Sequence, residues 1–174
     1  MDVKKVFVIG AGFMGSGIVE NVAARGLEAV AYDISPRQLE VSKAGILKSL
    51  EKQVARGKID EKEKDATISR INYVSDLSVC RHADVIIEAV AENKDLKVGI
   101  MKEIEEHAKD EAIVASNTSS ISITSLGSVF SNPDRFVGMH FFSPVPKIPL
   151  MEIVRGYQTG KEALDTASRL GEYL

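Results

Sequence analysis

Residues 6–33 constrain the fold more tightly than any other stretch of the chain. The apolar run Val6-Phe7-Val8-Ile9 stops at Gly10-Ala11-Gly12-Phe13-Met14-Gly15. A helix-like segment follows from Ser16 to Arg25, and a second apolar run, Leu27 to Tyr32, ends on Asp33. Strand, glycine turn, helix, strand and terminal acid, in that order, make a compact dinucleotide-binding unit. Gly10 permits the tight turn, Gly12 lets backbone N–H groups approach a pyrophosphate, and Gly15 lets the helix pack closely on the strand. The positive end of the helix dipole then faces the phosphates. An ordinary glycine-rich turn would leave the acid 18 residues past Gly15 unexplained.

Asp33 is placed to accept hydrogen bonds from the adenine ribose hydroxyls and to repel a 2′-phosphate, which favours NAD over NADP. Arg37 either softens that preference or is an exposed helix arginine. The rest of the composition is restrictive in a different way. A chain of 174 residues with net charge −3 and no basic block points to one domain, with neither nucleic acid nor an anionic membrane as partner. No apolar run approaches the roughly 18–20 residues of a spanning helix. Met1 to Lys5 lead straight into the first strand, so no signal peptide is expected. The one cysteine, Cys80, reads as a small buried side chain and suits a reducing, cytoplasmic setting.

Further along, Ser35-Pro36-Arg37-Gln38 reads as a helix start, with Ser35 as cap and Gln38 completing a capping box. Leu39, Ile46, Leu47, Leu50 and Val54 then recur at helical spacing to about Arg56, and Gly57 breaks the helix. A charged segment, Lys58 to Arg70, is expected to form a second helix with Asp60 and Glu63 as a cap pair. This hairpin interrupts the strand–helix alternation and is expected to stand out from the sheet. Strands follow at Ile71–Val74, Asp84–Val90 and Ala112–Ala115, with a helix from about Asp95 to Lys109 whose apolar face includes Leu96. A short helix at Ile121–Phe130 leads to a strand ending near His140. Ser143 to Pro149 is too Pro-rich for a helix and is expected to be a rigid loop. One more strand, Leu150–Val154, precedes a last helix that Thr159 and Glu162 are expected to box. The whole reads as α/β: a Rossmann-type, doubly wound, mostly parallel sheet with an inserted helical hairpin. Polar clusters at Glu92-Asn93-Lys94-Asp95 and Ser116-Asn117-Thr118-Ser119-Ser120 follow strands, where open α/β sheets place ligands.

His140 is the histidine with a partner. Glu152 stands alone among apolar residues in the next strand, and a carboxylate buried there needs a counterpart. Paired across a Pro-rich turn, it would fix the imidazole tautomer and favour its charged form, as a general base for alcohol oxidation requires. His82 and His107 have no such partner. No cluster has metal-ligand spacing.

Gly10–Gly15, Glu88-Ala89-Val90-Ala91-Glu92, Ser116–Ser120 and Met139-His140-Phe141-Phe142-Ser143-Pro144-Val145 together resemble the L-3-hydroxyacyl-CoA dehydrogenases, in order and along the whole chain. The resemblance implies NAD as cofactor and reversible oxidation of a (S)-3-hydroxyacyl-CoA to the 3-oxoacyl-CoA, as in fatty-acid β-oxidation or butanoate metabolism. It implies that His140 takes the hydroxyl proton, that Glu152 orients it, and that Ser119 hydrogen-bonds near the reacting oxygen and the nicotinamide. The cofactor-contacting set becomes Gly10, Ala11, Gly12, Phe13, Met14, Gly15, Asp33, Glu92, Lys97, Asn117, Ser119 and Ser143. Ser49 and Arg56, with Ser119, fall on substrate-contacting positions, the first two on the coenzyme A part.

Three departures accompany the resemblance. Arg56 stands where lysine is common and keeps the charge, and Ser143 stands where asparagine is common, with a shorter reach. The family continues into an all-helical domain that carries a catalytic asparagine, closes over the acyl chain and forms a homodimer. That domain is not among these 174 residues, and the last helix stops in mid-pattern. Residues 1–174 are therefore expected to be an NAD-binding domain, truncated before the helical one. Loss of a polarising donor costs on the order of 10² to 10³ in rate, so the piece is expected to bind NAD but turn over poorly. Two other readings share the opening motif: a 3-hydroxyisobutyrate or 6-phosphogluconate-type dehydrogenase, which lacks the His140–Glu152 pair, and a non-catalytic NAD-sensing module.

Overall fold

The computed structural model describes residues 3–174; Met1 and Asp2, the start of the lead-in read above, lie outside the described residues. The first half of the chain forms β1 (Lys5–Ile9), α1 (Phe13–Ala24), β2 (Glu28–Tyr32), α2 (Pro36–Ala55), α3 (Glu61–Ser69) and β3 (Ile71–Val74). The second half forms β4 (Val85–Glu88), α4 (Lys94–His107), β5 (Ile113–Ser116), α5 (Ile123–Gly127), β6 (Phe136–Phe141), β7 (Met151–Val154) and α6 (Lys161–Tyr173). All seven strands join one sheet in the order β3-β2-β1-β4-β5-β6-β7. Neighbours from β3 to β6 are parallel, and β7 alone runs antiparallel. The chain winds outward from β1 to β3, then returns across β1 to begin again at β4. The crevice where the winding reverses is the place such sheets bind ligands.

The strands read as unbroken apolar runs because both faces are covered. Val6, Val8, Ala29, Ala31, Val85 and Ile87 face Ile18 and Val22 of α1, Leu39 and Ile46 of α2, and Ala167 and Leu170 of α6. Phe7, Ile9, Val30, Ile86, Val114 and Phe136 face Met101 and Ile104 of α4 and Leu126 of α5. Each fully buried aliphatic or aromatic side chain contributes about 1.5–3 kcal/mol. Two cores of that size outweigh the weak local preferences of strands only four to six residues long.

Several local expectations are corrected by tertiary contacts. Ser35 does cap α2, accepting from the Gln38 N–H, but the Gln38 amide turns away and donates to the Ala11 carbonyl at 2.8 Å. Asp60 and Glu63 do form a reciprocal capping box. Thr159 does not: its hydroxyl donates to Phe136 O and accepts from the Gly156 N–H, and Gly160 is the uncapped start of α6. Leu96 is exposed, and Lys97 is buried in its place. The Pro-rich loop after β6 holds a 3-10 turn at Val145–Lys147 and a cis Ser143–Pro144 bond. The α2–α3 hairpin does not stand clear. Leu39, Ser42, Ile46 and Leu50 are buried, Ile59 and Ile68 pack on the same core, and the Arg70 guanidinium donates to Ala23 O of α1. Among the described residues no helix is long and apolar enough to cross a membrane.

Candidate active site

The glycine turn sits at the crevice between β1 and β4. Gly10 has φ +97°, and a Cβ on it would lie 2.8 Å from Ala89 O, so both backbone shape and space exclude a side chain. A Cβ on Gly15 would lie 1.7 Å from Gly10 O and 3.5 Å from the nearest Val8 atom, so Gly15 serves the turn itself before the strand. Gly12 differs: a Cβ there meets nothing within 4 Å. It is also the N-cap of α1, with no side chain bonded to the first-turn N–H groups and no acid in that turn. Open space, free N–H donors and the helix dipole suit a pyrophosphate.

The Ala11 peptide is clamped from both sides. Its N–H donates to Asp33 Oδ2 at 3.0 Å, while its carbonyl accepts from Gln38 Nε2 at 2.8 Å and Ser16 Oγ at 3.1 Å. Asp33 Oδ1 also accepts from the Ser35 N–H at 2.9 Å, so the carboxylate at the end of β2 is fixed in orientation. A carboxylate has about four acceptor positions, which leaves capacity for two ribose hydroxyls. These residues fit an NAD-type dinucleotide.

On the far half of the sheet, His140 and Glu152 are directly opposed in the antiparallel β6–β7 register. His140 Nδ1 lies 2.8 Å from Glu152 Oε2. With Nδ1 donating to the carboxylate, Nε2 carries the free lone pair. The His140 ring leans on Phe142 with centroids 4.7 Å apart, which further restricts it. The pair exists for a reason other than the burial argument: Glu152 is 57 % exposed. Edge-strand register, not desolvation, brings the two side chains together.

Strand alternation puts Glu88, Ser116 and His140 on the α4 side of the sheet. Glu88 and Lys97 are 0 % and 1 % exposed, with Lys97 Nζ donating to Glu88 Oε1 at 2.7 Å. Ser116 Oγ donates to the other Glu88 oxygen at 2.6 Å, and the Val90 N–H to Glu88 Oε1 at 2.7 Å. Lys97 also reaches Glu92 Oε2 at 3.3 Å. Glu92 Oε1 in turn accepts from Thr118 Oγ1, the N–H groups of Ser119 and Ser120 at 3.1 and 3.2 Å, and Ser120 Oγ at 3.0 Å. Burial opposes ionisation of Glu92, but the Thr118 and Ser120 hydrogen bonds and the Lys97 ammonium outweigh it and hold its carboxyl at about 2. Asn117 Oδ1 accepts the Phe141 N–H at 2.8 Å, which ties this loop to the strand end beside His140.

The sheet edge thus gathers the glycine turn, Asp33, Glu92, Asn117, Ser119, His140 and Glu152. Ser143 is exposed in the loop just beyond. Ser49 and Arg56 lie apart on α2. Ser49 Oγ donates to Glu20 Oε1 of α1 at 2.8 Å, and exposed Arg56 is the C-cap. A cavity of about 650 Å³ is lined by Arg25, Phe141, Lys147, Met151 and Leu174. Phe141 and Met151 point opposite to His140 and Glu152, so this cavity is not the gathered site. Glu88 and Gln38 were missed, and Ser116, part of an expected ligand-side cluster, turns inward to Glu88 instead. An acid closing the run Val85-Ile86-Ile87 was a signal for Glu88.

Residues 5–174 match the family described as 3-hydroxyacyl-CoA dehydrogenase, NAD binding domain. A fatty acid oxidation complex subunit alpha from Psychrobacter cryohalolentis is 42 % identical over 169 residues, covering 97 % of this chain and 24 % of that protein. A probable 3-hydroxybutyryl-CoA dehydrogenase of Bacillus subtilis is 42 % identical, covering 99 % of this chain and 61 % of that one. The crystal structure of (S)-3-hydroxybutyryl-CoA dehydrogenase from Ralstonia eutropha superposes with TM-score 0.97 at 40 % identity, over 99 % of this chain and 61 % of that chain. The chain therefore spans from about a quarter to three-fifths of the length of these relatives.

Proposed function

The chain belongs to the 3-hydroxyacyl-CoA dehydrogenase family, whose NAD-binding domain it carries, and from that premise we propose that it serves NAD-dependent, reversible oxidation of a (S)-3-hydroxyacyl-CoA to the 3-oxoacyl-CoA. Bound NAD supplies the hydride acceptor. The glycine turn and the α1 N-terminus hold the pyrophosphate, Asp33 takes the adenine ribose, and Glu92, Asn117, Ser119 and Ser143 border the nicotinamide end; Lys97, expected to contact the cofactor, is instead buried behind Glu92 and acts through it. His140 Nε2 removes the substrate hydroxyl proton, and Glu152 keeps Nδ1 protonated and stabilises the imidazolium that results. Ser119 hydrogen-bonds the reacting oxygen, while Ser49 and Arg56 hold the coenzyme A tail along α2. Residues 1–174 act here as one NAD-binding domain. A cytoplasmic setting suits the lone, buried Cys80 thiol, which burial pushes up to about 11. A homodimeric whole enzyme rests on the family resemblance alone.

The observation that carries this reading is the 2.8 Å His140–Glu152 pair at the same sheet edge as the glycine turn. The test is acetoacetyl-CoA-dependent oxidation of NADH, with NADH and acetoacetyl-CoA binding measured in parallel. His140→Gln is expected to lower turnover by about 10²–10⁴ with NADH affinity unchanged, and Arg56→Glu to weaken acetoacetyl-CoA binding alone. Turnover unaffected by His140→Gln, or no binding of acetoacetyl-CoA to the NADH complex, would overturn it.

A further inference from the structure

Among the described residues, the most deeply buried charges do not face the site. Glu88 and Lys97 are sealed under the β4 and β5 ends, and Ser116, also 0 % exposed, fills the second Glu88 oxygen. Counting formal charges, two carboxylates flank one ammonium. Lys97 Nζ is shared unequally, at 2.7 Å from Glu88 and 3.3 Å from Glu92. The same Glu92 carboxylate holds the β5–α5 loop through the Ser119 and Ser120 N–H groups. Where Glu92 sits is therefore decided by two pulls, one from Lys97 and one from the loop. Glu88 sets the first, because a buried ammonium relieved of one carboxylate turns to the other at once.

We propose that Glu88 is a positioning residue: by holding Lys97 it leaves Glu92 free to fix the Asn117–Ser120 loop, and so shapes the nicotinamide end of the site without touching it. The consequence for NAD, though not the coupling itself, rests on the function proposed above. Removing the charge but not the shape of Glu88 draws Glu92 toward Lys97 and away from Ser119 and Ser120. Removing both buried charges returns Glu92 to the loop. A residue that merely fills space would show no such reversal.

The experiment compares wild type, Glu88→Gln and Glu88→Gln/Lys97→Met by amide hydrogen exchange at Ser119 and Ser120, resolved by NMR on the same 174-residue chain, and by NADH titration. Glu88→Gln is expected to speed exchange at these two amides by about tenfold, the loss of roughly one charge-assisted hydrogen bond, and to weaken NADH binding alongside. The double variant is expected to restore both amides to within about twofold of wild type. Unchanged Ser119 and Ser120 exchange in folded Glu88→Gln overturns the inference, as does a double variant as loose as the single one. NADH affinity that stays at the wild-type value while the loop loosens overturns the positioning role. If Glu88→Gln does not fold, Glu88→Asp takes its place, since it keeps the charge but retracts the carboxylate from Lys97. The same two amides must then exchange faster. Wild-type protein that binds no NADH would count against the proposed function and leave the amide comparison intact.

Discussion

Alanine at Gly12 and alanine at Gly15 should separate binding from stability, although the two positions are three residues apart in one turn. At Gly15 the added Cβ would lie 1.7 Å from Gly10 O, against a floor of 3.0 Å for such contacts, so about 1.3 Å of backbone movement is required. Neither side can give way cheaply. Gly10 N–H is bonded to Tyr32 O at 2.8 Å, Ala11 N–H to Asp33 at 3.0 Å, and α1 is seated on the core through Ile18 and Val22. Overpacking of about 1–3 kcal/mol plus one or two lost hydrogen bonds of about 1 kcal/mol each gives about 3 kcal/mol. For a domain of this size that is a fall in Tm of about 6–12 °C. At Gly12 the Cβ meets nothing, and φ −72° is open to any residue. Gly12→Ala should cost about 1 kcal/mol or less, the N-cap preference alone. It should nevertheless weaken NADH binding by at least about tenfold, by standing between the first-turn N–H groups and the pyrophosphate. Urea unfolding and NADH fluorescence titration on both variants decide the matter. The reasoning is refuted if Gly12→Ala binds NADH like wild type, or if it is destabilised as severely as Gly15→Ala.

Three further outcomes follow from the same contacts. Glu92, held at about 2 against an ordinary 4.5, contributes stability that is present above pH 4.5 and is lost as the pH falls toward 2. Its side chain is 39 % exposed, so Glu92→Gln should lower the unfolding free energy by only about 1 kcal/mol at pH 7 after screening, with a smaller difference at pH 3 in urea melts. Glu20 runs the other way. Burial raises its carboxyl against the opposing hydrogen bonds from Ser49 and Gln53, so the ionised form is the destabilising one. Glu20→Gln should be neutral at pH 4 and increasingly stabilising as the pH rises, and a gain confined to acid pH would contradict the sign. Gln38→Ala releases the Ala11 carbonyl and should cost about 1 kcal/mol while loosening NADH binding several-fold; an unchanged titration would show that the clamp is dispensable.

Much of the site was readable from residues alone because its elements are local. Gly10 to Asp33 is a contiguous device, and the capping pair Asp60–Glu63 spans a single turn; both were recovered in place. Where the reading failed, a distant partner outbid a local one. Gln38 could bond either its own helix start or the glycine turn, and Thr159 either α6 or Phe136 O. In both cases a tertiary acceptor won. The Leu96–Lys97 exchange has the same origin, since only the return of β4 beneath α4 puts Glu88 where a lysine must turn inward.

From the sequence alone one can say that this chain makes a doubly wound α/β sheet with a dinucleotide turn at its first crevice, because periodicity and glycine placement act over a few residues. The His140–Glu152 pair was also legible, but only the tertiary structure decided what brings it together and which charges are buried. It opposed His140 to Glu152 through strand register rather than burial, and it hid Glu88 and Lys97 behind Glu92. Hydrogen bonds and ion pairs depend on ångström-scale distances between strands far apart in the chain. Those distances exist only once both faces of the sheet have been packed.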